Sequence, residues 1–351
     1  MINNYWINTK EANVTIKLND LCNTNCLHCF SHGKDRTFLD ISKNIENFTI
    51  LWDSLYQKGV RKYDVAFVGG EITLLPIETI TSIINSFYQS IHNFLNLVKS
   101  QEKILFSVSL ITNFIFDFKS QKYLSYLSDL SNKPTLDIDL SKFSILDLEF
   151  NIVTSYDIGL NRFKSKNIYE TWLKNCSNFN GSLHLLVTLN KETCINIEEI
   201  VNDEFFDKFS LICFQPMLNF SDKDNLLPSY ETLYKTYHFL NQYKNHNNKP
   251  YIMGWSTKPG YHISINNDGI LSCSVSEEIK LYQNKDYFHM SEIESKKNNL
   301  LRMLSEQFNL RIKRTRNKRC LSCEYFEDCD FGLELFTPTI ICPAFKIIPI
   351  D

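Results

Sequence analysis

The sequence predicts an α/β protein built around a parallel sheet. Two observations carry this: six short apolar segments with strand character, and helical patterns in the intervals between them. The first segment, residues 14–18, reads Val-Thr-Ile-Lys-Leu and alternates apolar and polar residues. A helical stretch at 41–56 leads to a second strand at 63–68, closed by Gly69-Gly70. Residues 77–98 have helical periodicity, and 104–111 form the third strand. Three further strands are read at 148–153, 183–189 and 211–214, separated by helical patterns at 168–176 and 195–202. Residues 117–147 read as a polar insertion between strands three and four.

After Pro216 the alternation is expected to stop. Residues 230–243 and 291–308 are helix candidates, and 245–249 reads as a polar linker. Residues 261–274 read as a hairpin around Asn266-Asn267-Asp268-Gly269. The division expected is a barrel-like part at 1–216 and a metal-bearing part at 217–351. A chain of 351 residues has room for one large domain or a domain with an appendage, because single cores stop growing at about 250–300 residues.

Composition removes several classes of function. With 26 Phe and 17 Tyr the chain has ample apolar area to fold. Its 37 basic and 40 acidic residues argue against a nucleic-acid partner, which demands a strongly basic surface. No run approaches the ~18 apolar residues of a membrane span. The opening Met1-Ile2-Asn3-Asn4-Tyr5-Trp6 shows no secretory signal. The expected location is the cytoplasm, where disulfides are rare, so the 11 cysteines need another explanation. High Asn and Lys content matches an AT-rich coding bias and carries little functional weight.

The first cysteine group is Cys22-Asn-Thr-Asn-Cys26-Leu-His-Cys29, on a loop directly after strand one. Three thiolates so close together suit three irons of a [4Fe–4S] cluster and leave the fourth iron open. The alternative is zinc, which wants a fourth ligand such as His28 or His32.

This loop resembles that of the radical S-adenosylmethionine enzymes, and the resemblance implies a partial (β/α)6 TIM-like barrel with a C-terminal iron–sulfur auxiliary domain. It implies that S-adenosylmethionine chelates the open iron and is cleaved to a 5′-deoxyadenosyl radical that abstracts hydrogen from the substrate. Phe30 stands where the family has an aromatic whose backbone meets the adenine. Gly69-Gly70-Glu71 resembles the family's GGE motif, whose turn meets the methionine amino group; its plain reading is turn punctuation. Thr112-Asn113 resembles a TNG turn, with Phe114 in place of the glycine. Ser155-Tyr156-Asp157 resembles a segment whose serine meets the ribose. Arg162 matches an arginine that meets the methionine carboxylate, with a solvated surface arginine as the plain alternative. Asn190, after strand five, is a further candidate for cofactor binding.

The second group, Cys320-Leu-Ser-Cys323-Glu-Tyr-Phe-Glu-Asp-Cys329 with Cys342, would complete a four-thiolate site, zinc by spacing alone. It resembles the SPASM domain of peptide-modifying radical enzymes, in which this pattern holds an auxiliary [4Fe–4S] cluster. Ligands of a second auxiliary cluster are missing: Gly269 to Cys273 is one residue short, and Leu333 replaces a cysteine. The resemblance therefore implies two clusters in all, one binding S-adenosylmethionine and one auxiliary. Cys273 is left over as a relic, a buried hydrophobe or a hydrogen-atom donor. Cys176, Cys194 and Cys213 fall in helix or strand patterns and read as buried apolar residues. The basic run 311–319 reads as a patch for an acidic leader or redox partner, or as a solvated face that offsets cluster charge.

The activity implied is modification of a ribosomally made peptide, by crosslinking or epimerisation, with electrons from a flavodoxin or ferredoxin. Dehydrogenation of a small-molecule intermediate is the alternative. A zinc-stapled, non-enzymatic binding module is the alternative of another class.

Overall fold

The computed structural model describes residues 10–27, 29, 38–116, 121–132, 138–216, 226–247, 251–253, 261–272 and 287–314. In chain order the main elements are β1 (Glu11–Lys17), α1 (Ile45–Gln57), β2 (Lys62–Val68), α2 (Ile77–Leu97), β3 (Ile104–Ile111) and α3 (Gln121–Asn132). They continue with β4 (Leu146–Tyr156), α4 (Lys166–Asn178), β5 (Leu183–Leu189), α5 (Lys191–Ile195), α6 (Ile197–Asn202) and β6 (Leu211–Pro216). The remainder is α7 (Tyr230–Asn247), β7 (Tyr251–Met253), β8 (Tyr261–Ile265), β9 (Ile270–Ser272), β10 (Tyr287–His289) and α8 (Lys297–Arg314).

The ten strands among the described residues lie in one open sheet of order β10-β9-β8-β1-β2-β3-β4-β5-β6-β7. Every pairing from β8 to β7 along that order is parallel; only the β8–β9 and β9–β10 pairings are antiparallel. The α/β class and the parallel sheet are as the sequence predicts, and the sheet does not close into a barrel.

Two expectations are corrected. Residues 121–132, read as part of a polar insertion, form α3. Its buried Leu124, Leu127 and Leu130 pack it down, while Gln121, Lys122, Asp129, Asn132 and three serines dilute the periodic signal. The alternation also continues past Pro216: α7 carries the chain to β7, which pairs parallel with β6. On the opposite edge, β8 pairs with β1, so the hairpin after residue 260 extends the same sheet.

The crossover helices cover one face of the sheet, as right-handed connections require. Trp52 of α1 meets Tyr63 of β2 and Phe106 of β3 edge-on, and Phe87 of α2 meets Phe67 of β2. Trp52 stays satisfied by donating its indole N–H to Ser90 Oγ (3.0 Å). A second aromatic group joins Trp172 of α4 to Tyr156, Phe205 and Phe209. Trp172 donates to Thr154 Oγ1 (3.1 Å). The C-terminal helix α8 is fastened to α1 by Lys297–Asp53 (2.9 Å) and by Lys58 donating to Ser305 (2.7 Å).

The other face is different in kind. The register places His262, Asn13, Asp64, Ser107 and Glu149 in one row across five strands. Ser264, Thr15, Ala66, Ser109 and Asn151 form the next. These side chains are half-buried or exposed, polar or small. Parallel sheets are ordinarily covered by apolar packing on both faces.

Candidate functional site

The cysteine loop leaves β1 at the carboxyl edge of the sheet and is seated on the end of β2. Leu18 N–H donates to Val68 O (2.9 Å), prolonging the strand pairing. Gly70 N–H then donates to Asn19 O (2.7 Å), and Glu71 N–H to Leu21 O (2.7 Å). A Cβ on Gly70 would stand 1.9 Å from Leu21 O; one on Gly69, whose φ is +132°, would stand 2.3 Å from Asn19 O. The close approach that these two glycines permit in this structure is therefore to the backbone of the cysteine loop itself. Gly70→Ala is expected to push the loop off the turn and cost about 1–3 kcal/mol or more. Anaerobic iron loading together with thermal melting checks this: both should fall, and unchanged iron content would contradict the seating role.

Glu71 ties this turn to the end of β3. Its carboxylate, 1% exposed, accepts from Thr73 N–H (3.0 Å), Thr73 Oγ1 (2.7 Å), Thr112 Oγ1 (2.6 Å) and Asn113 N–H (2.6 Å). Asn113 in turn reaches the cysteine loop, donating through Nδ2 to Asn23 Oδ1 (2.6 Å), with Cys22 Sγ 3.9 Å away. Asn23 donates back to Ile115 O (2.7 Å).

Phe114 holds the glycine position of this turn at φ +57°, in the left-handed region. Its ring is fully buried against Phe116 and Phe179, and its carbonyl accepts from Asn175 Nδ2 of α4 (2.9 Å). Burial and the Asn175 clamp thus hold a conformation that costs a non-glycine residue about 1–2 kcal/mol. Phe114→Gly is expected to relieve that strain yet destabilise by about 2 kcal/mol net, because losing a buried phenylalanine costs about 3–5 kcal/mol. Denaturant unfolding measures the difference; a stabilised variant would contradict it.

From the β4 side, Leu27 N–H donates to Leu160 O (2.9 Å) and docks the loop on residues 157–162. There Arg162 is bound to Asp157 in an ion pair whose side chains are 11% and 0% exposed. Burial works against the Arg162 charge, but Asp157, with Cys26 and Cys22, more than offsets it and holds the guanidinium protonated. Burial pushes the Cys26 thiol up, while Arg162 and a hydrogen bond with Thr24 oppose the rise. Arg162 is thus a buried, paired cation beside the cysteines, and the plain surface reading of it does not hold.

Ser155 is buried on β4, on the strand face that carries Asn151 and Val153. Asn190 caps α5, accepting from Thr193 N–H (2.8 Å) and donating to Ile158 O (2.5 Å), so both ends of its amide are engaged within the protein. Asp20, two residues before Cys22, pairs with Lys17 (2.7 Å) and accepts from Asn267 Nδ2 (3.2 Å) on the β8–β9 turn. Asn23, Asp20, Asn175 and Asn267 were not singled out from the sequence.

Phe30, Cys273, Cys320, Cys323, Cys329 and Cys342 lie outside the described residues, as do His28 and His32. Cys22, Cys26 and Cys29 are in no disulfide, Cys26 buried and the other two half-buried. The sulfurs of Cys22 and Cys26 converge on one hydroxyl, Thr24 Oγ1, at 3.1 and 3.6 Å. Among the described residues no three His, Cys, Asp or Glu side chains are gathered around a single ion position. A cubane cluster, which takes one thiolate per iron, makes no such demand. Three soft sulfur donors, a buried cation and an N–H group directed at one sulfur fit a negatively charged iron–sulfur cluster. Cys176 and Cys194 are buried, with burial pushing Cys194 up to about 11, in keeping with apolar packing roles.

Neither a protein-family model nor a curated protein matches the sequence. Solved structures do. The structure of anSMEcpe with bound AdoMet superposes with a TM-score of 0.59 at 15% identity, over 91% of this chain and 88% of that one. What is shared is the fold. The anSMEcpe structure with AdoMet and the Kp18Cys peptide gives a TM-score of 0.60 at 15% identity, with the same coverage. Streptococcus suis SuiB bound to precursor peptide SuiA gives 0.58 at 14% identity, over 94% of this chain and 73% of that one. The open, mostly parallel α/β sheet resembles radical S-adenosylmethionine enzyme structures. Among the described residues no helix is long and apolar enough to cross a membrane.

Proposed function

We propose that this chain is a radical S-adenosylmethionine enzyme that modifies a peptide. The observation that carries the reading is the Cys22-x3-Cys26-x2-Cys29 loop at the carboxyl edge of a parallel sheet, seated on the Gly69-Gly70 turn and flanked by the buried Arg162–Asp157 pair. Ligands on such sheets bind beyond the carboxyl ends of the strands. Cys22, Cys26 and Cys29 would hold a [4Fe–4S] cluster, with S-adenosylmethionine completing it. The chemistry this pair supplies is a 5′-deoxyadenosyl radical for hydrogen abstraction.

The protein's own share is binding, charge balance and exclusion of water. Arg162, kept protonated and oriented by Asp157, offsets thiolate and cluster charge and offers a cation to a carboxylate. Thr112, Asn113 and Glu71 fix the β3 end of the site, and Ser155 stands on β4 beside it. Cys320, Cys323, Cys329 and Cys342 would hold an auxiliary cluster, and a flavodoxin or ferredoxin would supply the electron.

The polar face of the sheet supports a peptide as substrate. Its two rows, running from Asn13 and Thr15 across to Glu149 and Asn151, make a bed of polar or small side chains on the strands that lead to the cysteine loop. A polypeptide segment, with its own amides to satisfy, suits that bed better than an apolar ligand. Structures sharing the fold hold peptides in anSMEcpe and SuiB. Mass spectrometry of a short peptide encoded beside this chain and co-expressed with it anaerobically tests the reading. A peptide changed in mass or stereochemistry is expected; an untouched peptide alongside turnover of a small metabolite would overturn the assignment.

A further inference from the structure

Resting on the cluster reading above, we infer that Asn113 is a positioning residue whose side-chain N–H group bonds to the sulfur of Cys22 and sets the reduction potential of the cluster held there. The motif likeness ties Asn113 to S-adenosylmethionine; the hydrogen bonds aim its amide at a cysteine ligand.

The orientation of that amide is over-determined. Asn113 Oδ1 accepts from the backbone N–H of Ile115 (2.8 Å), a group that can only donate, so the oxygen and nitrogen cannot be exchanged. Asn23 is fixed in the same way, because its Nδ2 donates to the carbonyl of Ile115 (2.7 Å) and so turns its oxygen toward Asn113. One N–H of Asn113 goes to that oxygen at 2.6 Å, and Nδ2 also stands 3.9 Å from Cys22 Sγ, within reach of the second N–H. The backbone N–H of Asn113 is held by Glu71 Oε2, and the whole residue is 5% exposed. No other rotation of the side-chain amide keeps its contacts with Ile115, Asn23 and Cys22.

A thiol is a poor partner at 3.9 Å. A metal-bound thiolate is a stronger acceptor, because charge-assisted hydrogen bonds are shorter and roughly twice as strong as neutral ones. Hydrogen bonds to cluster sulfurs are among the settings of an iron–sulfur potential, and they stabilise the reduced, more negative state. Outer contacts of this kind orient a ligand as well as tuning its metal.

The test is an anaerobic redox titration, followed by electron paramagnetic resonance, of the cluster signal that the Cys22, Cys26 and Cys29 alanine chain lacks. Asn113→Ala is expected to move the midpoint potential to a more negative value than wild type. Asn113→Asp keeps the acceptor for Ile115 N–H but sets a carboxylate beside the sulfur, and is expected to move it further the same way. If the alanine chain does not fold, the aspartate chain alone decides. Asn175→Ala loosens the same turn, since Asn175 clamps the carbonyls of Phe114 and Phe116, without removing the N–H near sulfur. It is expected to melt earlier while keeping the wild-type potential. Equal potentials in iron-loaded wild type and Asn113 variants would overturn the inference alone, as would a matching shift in Asn175→Ala. A wild-type chain that takes up no iron would overturn the reading beneath it as well.

Discussion

Replacing Cys22, Cys26 and Cys29 together with alanine is expected to remove about half of the roughly eight irons that two [4Fe–4S] clusters would bring, and to abolish cleavage of S-adenosylmethionine. The fold should survive. The loop is held by backbone bonds from Val68, Gly70, Glu71 and Leu160, which these substitutions leave in place. Colorimetric iron analysis and detection of 5′-deoxyadenosine measure the two losses separately. Full iron content in the triple variant would show that the metal sits elsewhere.

Asp157→Ala is expected to be the most destabilising single change near the site. It leaves the Arg162 guanidinium buried without its carboxylate, and breaking a buried pair in this way costs about 3–5 kcal/mol. The segment that carries the pair also receives the cysteine loop, through Leu27 on Leu160, so loop order should fall with stability. Replacing both partners, Asp157→Leu with Arg162→Met, removes the stranded charge and should recover much of the stability. On the proposed function it should not recover S-adenosylmethionine binding. Chemical denaturation with and without that ligand separates the two effects. A double variant no more stable than Asp157→Ala would contradict the account of the pair.

Much of the architecture is legible in the sequence because the helix-covered face enforces it. Val14, Val65 and Val108 alternate with Thr15, Ala66 and Ser109, and this alternation marks the strands. Elements without it escape. In α3 three leucines are spread among serines and an aspartate, and β7 has only three residues. The pairing of β8 with β1 joins segments some 250 residues apart, and no local pattern reports it.

The site divides in the same manner. Thiols declare themselves by spacing, and the glycines by position. The asparagines that hold the loop do not, since coding bias makes asparagine common throughout and its side chain carries no periodic mark. Asn113 is the exception, marked by its resemblance to a turn motif; Asn23, Asn175 and Asn267 acquire meaning only when the fold brings their segments together. Phe114 is hidden for another reason: a buried phenylalanine gives no hint of a left-handed backbone, which here depends on Phe179 and Asn175.

The most direct test of the central claim is anaerobic reconstitution of the full chain with iron and sulfide, then reduction in the presence of S-adenosylmethionine and detection of products by mass spectrometry. The account predicts a brown protein that releases 5′-deoxyadenosine and methionine, with both absent when Cys22, Cys26 and Cys29 are replaced. A colourless protein holding zinc, or an iron-loaded one that leaves S-adenosylmethionine intact, would contradict it.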